Sequence, residues 1–83
     1  MTKDKHEFTV YVKHSCHLCE DMLEVLNEYL KSHLVPYNLD IIDITDDNEL
    51  EARYGQFVPV LHESGKEICH YFFDANRWHE HFS

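Results

Sequence analysis

Hydrophobic and polar residues follow two different periodicities along this chain. Segment 8–13 is rich in β-branched and aromatic residues, which is typical of a strand. From Cys16 to His33 apolar residues recur at helical spacing while acidic residues take the opposite face, so a helix is predicted there with Ser15 as its N-cap. The apolar positions of this helix are Leu18, Met22, Val25, Leu26, Tyr29 and Leu30.

The rest of the chain predicts three further strands and two short helices. The strands are expected at residues 37–44, 57–61 and 67–73, and the helices at residues 48–54 and 74–82. Asp46 or Asp47 is predicted to cap the first of these helices and Asp74 the second. Gly55 fits the left-handed position that often follows a last helical turn.

This element order, β-α-β-α-β-β-α, predicts an α/β fold with a mixed four-stranded sheet flanked by helices. The first half contains a parallel crossover and the second half an antiparallel hairpin, with a turn at residues 63–66. A chain of 83 residues has the size of one domain, so residues 1–83 are interpreted as a single domain.

The charge of the chain restricts its partners. Sixteen acidic and seven basic residues give a net charge of −9, which disfavours nucleic acid and anionic membrane surfaces. No apolar run approaches the ~20 residues that span a bilayer, and residues 1–7 carry no secretory signal. We therefore expect an acidic, cytoplasmic monomer without a membrane partner, which binds neutral or positively charged proteins.

Candidate chemistry lies in the Cys-X-X-Cys segment at the end of the first strand. Cys16 is placed at the start of the following helix, where backbone N–H groups and the helix dipole stabilise a thiolate. Cys19 follows one turn later on the same side, which suits it to resolve a mixed disulfide. His17 directly follows the first cysteine and is either a nearby cation or a solvated residue.

Two other interpretations of these cysteines stay open. A Cys-X-X-Cys segment is also half of a zinc site, although the histidines elsewhere form no clear second half, and an iron–sulfur module would use the same thiols. The pair could instead be idle in a non-catalytic adaptor. Cys69 lies in a predicted strand and is interpreted as a buried apolar residue, and no metal site is predicted.

Two segments carry a resemblance to a known family. They are Lys13-His14-Ser15-Cys16-His17-Leu18-Cys19 after the first strand and Val58-Pro59-Val60-Leu61 some 40 residues later. The chain resembles the thioredoxin superfamily and, within it, glutaredoxin-like proteins of a Cys-His-Leu-Cys type. The resemblance implies a thioredoxin fold and thiol–disulfide oxidoreductase activity in cell redox homeostasis.

The resemblance also implies roles for individual residues. Cys16 is the attacking thiol, Cys19 the resolving thiol, and Val58–Pro59 a cis peptide that offers its backbone to an extended substrate. Lys13 matches a lysine that favours the thiolate. Substrate contacts are therefore expected from Lys13, His17, Val58 and Pro59.

Departures from the family pattern bear on glutathione. The Gly-Gly pair that holds one end of glutathione in many glutaredoxins is replaced here by Phe72-Phe73, followed by Asp74. Few cations are available to hold the ligand's carboxylates, and the net charge of −9 repels an anion. The sequence predicts weak glutathione binding, no tightly bound cofactor, and protein disulfides or a reductase as partners.

Overall fold

The computed structural model describes residues 5–83 and contains seven elements in the predicted order. They are β1 (His6–Val12), α1 (His17–Ser32), β2 (Tyr37–Asp43), α2 (Asn48–Tyr54), β3 (Val60–Glu63), β4 (Lys66–His70) and α3 (Ala75–Phe82). Of the predicted domain, residues 1–4 lie outside the described residues.

The four strands form one mixed sheet in the order β2-β1-β3-β4. β1 pairs with β2 in parallel and with β3 antiparallel, and β3 and β4 form the hairpin. Because α1 lies between two parallel neighbouring strands in the chain, it serves as the crossover that such a pair requires. The predicted mixed four-stranded sheet and its α/β architecture are confirmed.

The core lies between the sheet and helices α1 and α3. Its largest members are Phe8 from β1, Met22, Leu26 and Leu30 from α1, and Trp78 from α3, each at most 7% exposed. The rings of Phe8 and Trp78 stack with their centroids 5.3 Å apart. Burial of each such side chain contributes roughly 1.5–3 kcal/mol, so this layer supplies much of the free energy of folding.

The buried stripe of α1 is narrower than the sequence pattern predicts. Met22, Leu26 and Leu30 are buried, but Leu18 and Val25 are 50% and 45% exposed. Spacings of four residues keep the first three on one line along the helix, whereas the other two fall on its flanks. The flanking apolar residues therefore remain available for other contacts.

The opposite face of the sheet is covered by α2. Tyr11 of β1 stacks on Tyr54 of α2 with ring centroids 4.2 Å apart, and His62 meets both rings edge-on. Burial, and then the neighbouring Tyr54, raises the pKa of Tyr11, while burial lowers the pKa of His62. Both shifts show that this aromatic layer is partly removed from water.

A bulge interrupts the β3–β4 hairpin. Leu61 pairs with Cys69 and His62 with Glu67, so Ile68 has no residue opposite it. One extra residue in one strand changes the alternation of side chains at that point. Ile68 and Cys69 are consequently both buried although they are consecutive, which confirms the predicted burial of Cys69.

The termini of the helices correct two predictions. Cys16, not Ser15, is the N-cap of α1, because Ser15 has a φ of 54° and Cys16 has the extended backbone that an N-cap requires. Gly55 has a φ of −54° in the right-handed region, so the left-handed assignment was wrong. Asp47 and Asp74 cap α2 and α3 as predicted.

The third and fourth strands also differ from their predicted bounds. β3 begins at Val60 rather than residue 57, because Pro59 has no N–H to donate to the ladder. β4 ends at His70 rather than residue 73, because Tyr71 has a φ of 71° and turns the chain. The main-chain N–H of Tyr71 donates to the carbonyl oxygen of Pro59 at 2.9 Å, which closes this end of the hairpin.

Candidate functional site

Cys16 and Cys19 form a disulfide where β1 leads into α1. Their Cα atoms are 5.2 Å apart. Cys16 is half-buried and lies at the N-cap, whereas Cys19 is 3% exposed and packs in the core. The two sulfur atoms therefore differ in access, and Cys16 is the one that an external group can reach.

The local backbone joins the helix start to the reactive atom. The Cys16 Sγ accepts the main-chain N–H of Cys19 at 3.1 Å, and the Cys16 carbonyl accepts the N–H of Glu20 at 3.1 Å. An N-cap side chain normally satisfies one of the unpaired N–H groups of the first turn with oxygen. Sulfur takes this place here, so the partial positive charge of the helix start is directed at Cys16.

The loop of residues 13–16 between β1 and α1, which we call the cysteine loop, is held by the loop that follows β2. The His14 Nε2 lies 2.7 Å from the Asp43 Oδ2, and the His14 main-chain N–H donates to the Thr45 Oγ1 at 3.1 Å. The Thr45 N–H donates in turn to the Asp43 Oδ1 at 2.9 Å. Hydrogen bonds from Thr45 and the charge of His14 outweigh desolvation and hold the pKa of Asp43 below its usual value.

Lys13 forms an ion pair with helix α2. Its Nζ donates to the Glu51 Oε2 at 2.9 Å, and both side chains are about one-third exposed (34% and 40%). The lysine that the resemblance places near the thiolate thus has a carboxylate as its neighbour. Its predicted role in substrate binding stays a prediction.

His17 lies in solvent at the start of α1. Its side chain is 97% exposed, and its Nδ1 is 3.7 Å from the Glu20 Oε1. This position favours the interpretation of a solvated first-turn residue over that of a fixed cation. A contact to substrate from His17 is a prediction that the free protein leaves open.

Val58 and Pro59 lie at the same end of the sheet as the cysteines. β1 runs antiparallel to β3 with Tyr11 opposite Val60, so the end of β1 and the start of β3 are neighbours. The Val58–Pro59 peptide is cis, as predicted. Val58 and Cys16 both pack against the same core cluster, and Pro59 is fully buried.

Partly exposed aromatic side chains gather at this end of the sheet. Phe57 contacts the rings of His70 and Tyr71, at centroid distances of 5.4 and 6.4 Å. The Tyr71 hydroxyl donates to the carbonyl oxygen of Gln56 at 3.1 Å, and the neighbouring Phe72 is 60% exposed. We refer to Phe57, His70, Tyr71 and Phe72 as the aromatic patch.

The third cysteine is separate from this pair. Cys69 is a free thiol, 5% exposed in β4, and burial is the main cause of its raised pKa. Within residues 5–83, no three histidine, cysteine or carboxylate side chains converge to hold a metal ion. None of the helices in this same range is long and apolar enough to cross a membrane.

Sequence reasoning missed the residues that surround the cysteine loop. Glu51 is 38 positions from Lys13, and Thr45 is 31 positions from His14. Such pairs have no local spacing that would reveal them. Tyr71 and Phe72 lie in the segment predicted as the fourth strand, but the chain turns at Tyr71, which has a φ of 71°, and both side chains are exposed (41% and 60%).

The comparisons with known proteins agree with this geometry. The glutaredoxin-like domain (DUF836) matches residues 7–83. The solution NMR structure of protein Ne2328 from Nitrosomonas europaea has a TM-score of 0.81 and 32% identity, covering 100% of this chain and 98% of that chain. The X-ray structure of protein XcR50 from X. campestris has a TM-score of 0.71 and 33% identity, covering 90% and 93% of the two chains.

No curated protein sequence matches this chain. The similarity to these two solved structures nevertheless covers 100% and 90% of this chain. It confirms the thioredoxin-like fold that the sequence predicts.

Proposed function

Because the chain belongs to the glutaredoxin-like domain family, we propose that it is a thiol–disulfide oxidoreductase that reduces disulfides with Cys16 and Cys19. The observation that carries this proposal is the disulfide at the start of α1, with one accessible and one buried sulfur. This difference in access suits a dithiol mechanism, because one thiol must reach the substrate while the other lies close enough to resolve the mixed disulfide.

The reaction has two steps that transfer two electrons. The Cys16 thiolate attacks one sulfur of the substrate disulfide, whose S–S bond breaks, and the departing sulfur takes a proton. The Cys19 thiolate then attacks the Cys16 Sγ, which forms the internal disulfide and releases the second substrate thiol. An external thiol or dithiol reductant returns the pair to its reduced form.

The Val58 and Pro59 backbone is the proposed substrate platform. A segment that lies along this end of the sheet would add in an extended form, with main-chain contacts beside Cys16. Lys13 in the β1–α1 loop and His17 at the start of α1 would border the same segment. The partners under this proposal are proteins with accessible disulfides.

The aromatic patch favours protein substrates over glutathione. Its rings offer apolar surface at the same end of the sheet as the cysteine pair, and apolar surface of this kind typically marks an interaction site. The nearest lysine, Lys13, is already paired with Glu51, so it is less available for a ligand carboxylate. We propose that the working substrate has apolar residues beside its cysteine and that glutathione binds weakly.

Trapping of a mixed disulfide tests the assignment of the cysteines. Cys19→Ser incubated with a disulfide-linked peptide should form a stable adduct through Cys16, and Cys16→Ser should form none. Cys69→Ser is the matched control, because its thiol is buried outside the pair, and it should retain full activity. Reductase activity that persists in Cys16→Ser would contradict the proposal.

Turnover assays distinguish the reductants, and metal analysis of the purified protein tests the metal-binding alternative. Turnover should be faster with thioredoxin reductase and a peptide disulfide flanked by aromatic residues than with glutathione and its reductase. Efficient turnover at low millimolar glutathione would contradict the proposed preference. Stoichiometric metal with protected thiols in protein purified under reducing conditions would favour the metal-binding alternative instead.

A further inference from the structure

A surface groove lies between helix α1 and strand β2, away from the cysteine pair. It has a volume of about 550 Å³. Its lining residues are Leu23, Glu24, Asn27, Glu28, Lys31, Leu39 and Ile41. The groove begins one helical turn after Cys19 and follows α1 toward its C-terminal end.

The floor of the groove is apolar and open to solvent. Leu23 from α1 and Leu39 from β2 are half-buried, and Ile41 is 54% exposed. Leu39 and Ile41 are two positions apart in a strand, so their side chains point to the same face of the sheet. The free chain therefore leaves a strip of branched apolar side chains in water along this edge.

β2 is an edge strand of the sheet. It has seven residues, and within the described range 5–83 only β1 pairs with it. Its outer edge presents main-chain N–H and C=O groups that an added strand can pair with. The groove thus combines an apolar strip with unused hydrogen-bonding groups, which are the two requirements for strand addition.

The wall of the groove on α1 is mainly acidic. Glu24 and Glu28 are both exposed and are four residues apart, which places them on one side of the helix, with Lys31 at the far end. Asp21 extends the same acidic row toward the start of α1. The whole chain adds to this local field with its net charge of −9.

We propose that this groove binds an extended, lysine- or arginine-rich segment of a partner protein that adds as a strand to β2. Alternate residues of the segment would place apolar side chains on Leu39 and Ile41. The end residues on this same face of the segment would carry cations to Glu24 and Glu28. A second copy of the chain fits poorly, because each copy carries −9 and would bring like charge to the acidic wall.

This binding site is separate from the proposed redox chemistry. The groove contains neither Cys16 nor Cys19, and its residues belong to the middle of α1 and β2. Binding is therefore expected in both the oxidised and the reduced protein and in Cys16→Ser. A failure of disulfide exchange would leave this proposal unchanged, and a failure of peptide binding would leave the redox proposal unchanged.

The test uses a blocked seven-residue peptide, Lys-Thr-Val-Thr-Val-Thr-Lys, which has the length of β2 and carries its lysines and valines on one face. Binding is followed by fluorescence anisotropy and by amide chemical shifts of the isotope-labelled full chain. We expect shift changes confined to residues 23–31 and 37–43. A peptide in which glutamate replaces each lysine should bind at least about tenfold more weakly.

Matched variants distinguish an effect of the groove residues on peptide binding from an effect of the overall net charge. Glu24→Lys with Glu28→Lys should weaken the peptide about tenfold or more, whereas Asp46→Lys with Glu49→Lys changes the net charge equally and should stay within about twofold. Ile41→Thr should weaken binding about threefold to tenfold, and Val25→Thr, on another flank of α1, should have no effect. All four sets change exposed residues, so the amide spectrum of each should retain the native fold.

Three results of the peptide-binding experiments would overturn the proposal. They are shift changes centred on the cysteine loop, equal weakening by the two charge-reversed pairs, and equal affinity for the glutamate peptide. A dimer in sedimentation experiments that the peptide dissociates would also overturn it, because a second copy would then be the occupant of the groove.

Discussion

The negative charge of Glu51 offsets the positive charge of Lys13 near the cysteine loop. Their 2.9 Å contact makes the pair close to neutral as seen from a distance, although Lys13 lies only three residues before Cys16. A lysine in a pair of this kind stabilises a thiolate less than an unpaired lysine would. At this position the residue type alone is therefore a poor guide to the electrostatics.

We predict that Glu51→Gln lowers the pKa of the Cys16 thiol, because it removes the carboxylate that offsets Lys13. The measurement is the thiolate absorbance against pH in a Cys19→Ser, Cys69→Ser background. Glu49→Gln is the control, since it removes the same charge from α2 without touching Lys13. Equal shifts in both variants would show that Lys13 has no specific influence.

A residue in the left-handed conformation that is not glycine follows the end of helix α1. Leu34 has a φ of 54°, its N–H donates to the Lys31 carbonyl, and the N–H of Val35 donates to the Leu30 carbonyl. This is the hydrogen-bond pattern of a Schellman motif, in which glycine is the usual residue at the left-handed position. Leu34 is 87% exposed, so its side chain gains almost nothing from packing in return.

Leu34→Gly should therefore raise the free energy of unfolding by about 0.5–1 kcal/mol, since glycine adopts a positive φ without a steric penalty. Urea unfolding at neutral pH measures the difference. Leu34→Ala keeps the penalty and loses only exposed surface, so it should leave stability nearly unchanged. A gain in Leu34→Ala as large as that in Leu34→Gly would assign the effect to the exposed side chain instead.

The elements and the bounds of all three helices were predictable to within one residue, but the bounds of β3 and the end of β4 were not. Helical spacing in α1 and β-branched runs in the strands identified all seven elements in order. The start of β3 depends on Pro59 and the end of β4 on the positive φ of Tyr71, a conformation that Ser15 and Leu34 also adopt without being glycine. The cysteine pair and the cis-proline came from two local motifs, whereas the contacts of Lys13 come from residues far away in the chain.

Glu63 connects three elements at the end of the sheet away from the cysteines. Its carboxylate lies 2.8 Å from the His81 Nε2 of α3 and 3.4 Å from the His6 Nδ1 of β1, and it accepts the Ser64 hydroxyl at 3.0 Å. Burial raises the pKa of Glu63, but the hydrogen bonds from His81, Ser64 and His6 together outweigh it and lower the pKa. The ionised form is thus favoured by folding.

A group whose pKa is lowered in the folded protein stabilises it above the unfolded pKa, and this contribution is lost as pH falls. We expect Glu63→Gln to cost roughly 1–3 kcal/mol at neutral pH, and the difference from the parent protein to shrink below about pH 4. Urea unfolding across this pH range measures it. Glu67→Gln, which removes an exposed carboxylate that pairs with His70, should cost less. A difference that stays constant down to pH 3 would contradict the assignment.

The space around Gly55 restricts the substitutions that this position can tolerate. Its backbone conformation suits any amino acid, yet a Cβ added there would collide with the Glu51 carboxylate and with the Glu51 main-chain oxygen. Even alanine would displace the side chain that holds Lys13. Gly65, in contrast, has open space around it and depends on glycine only for its φ of 85°. Substitution should therefore be restricted at Gly55 by the volume of the added side chain and at Gly65 by the backbone conformation. Of these two positions, only Gly55 should transmit a change to the cysteine loop, through Glu51 and Lys13.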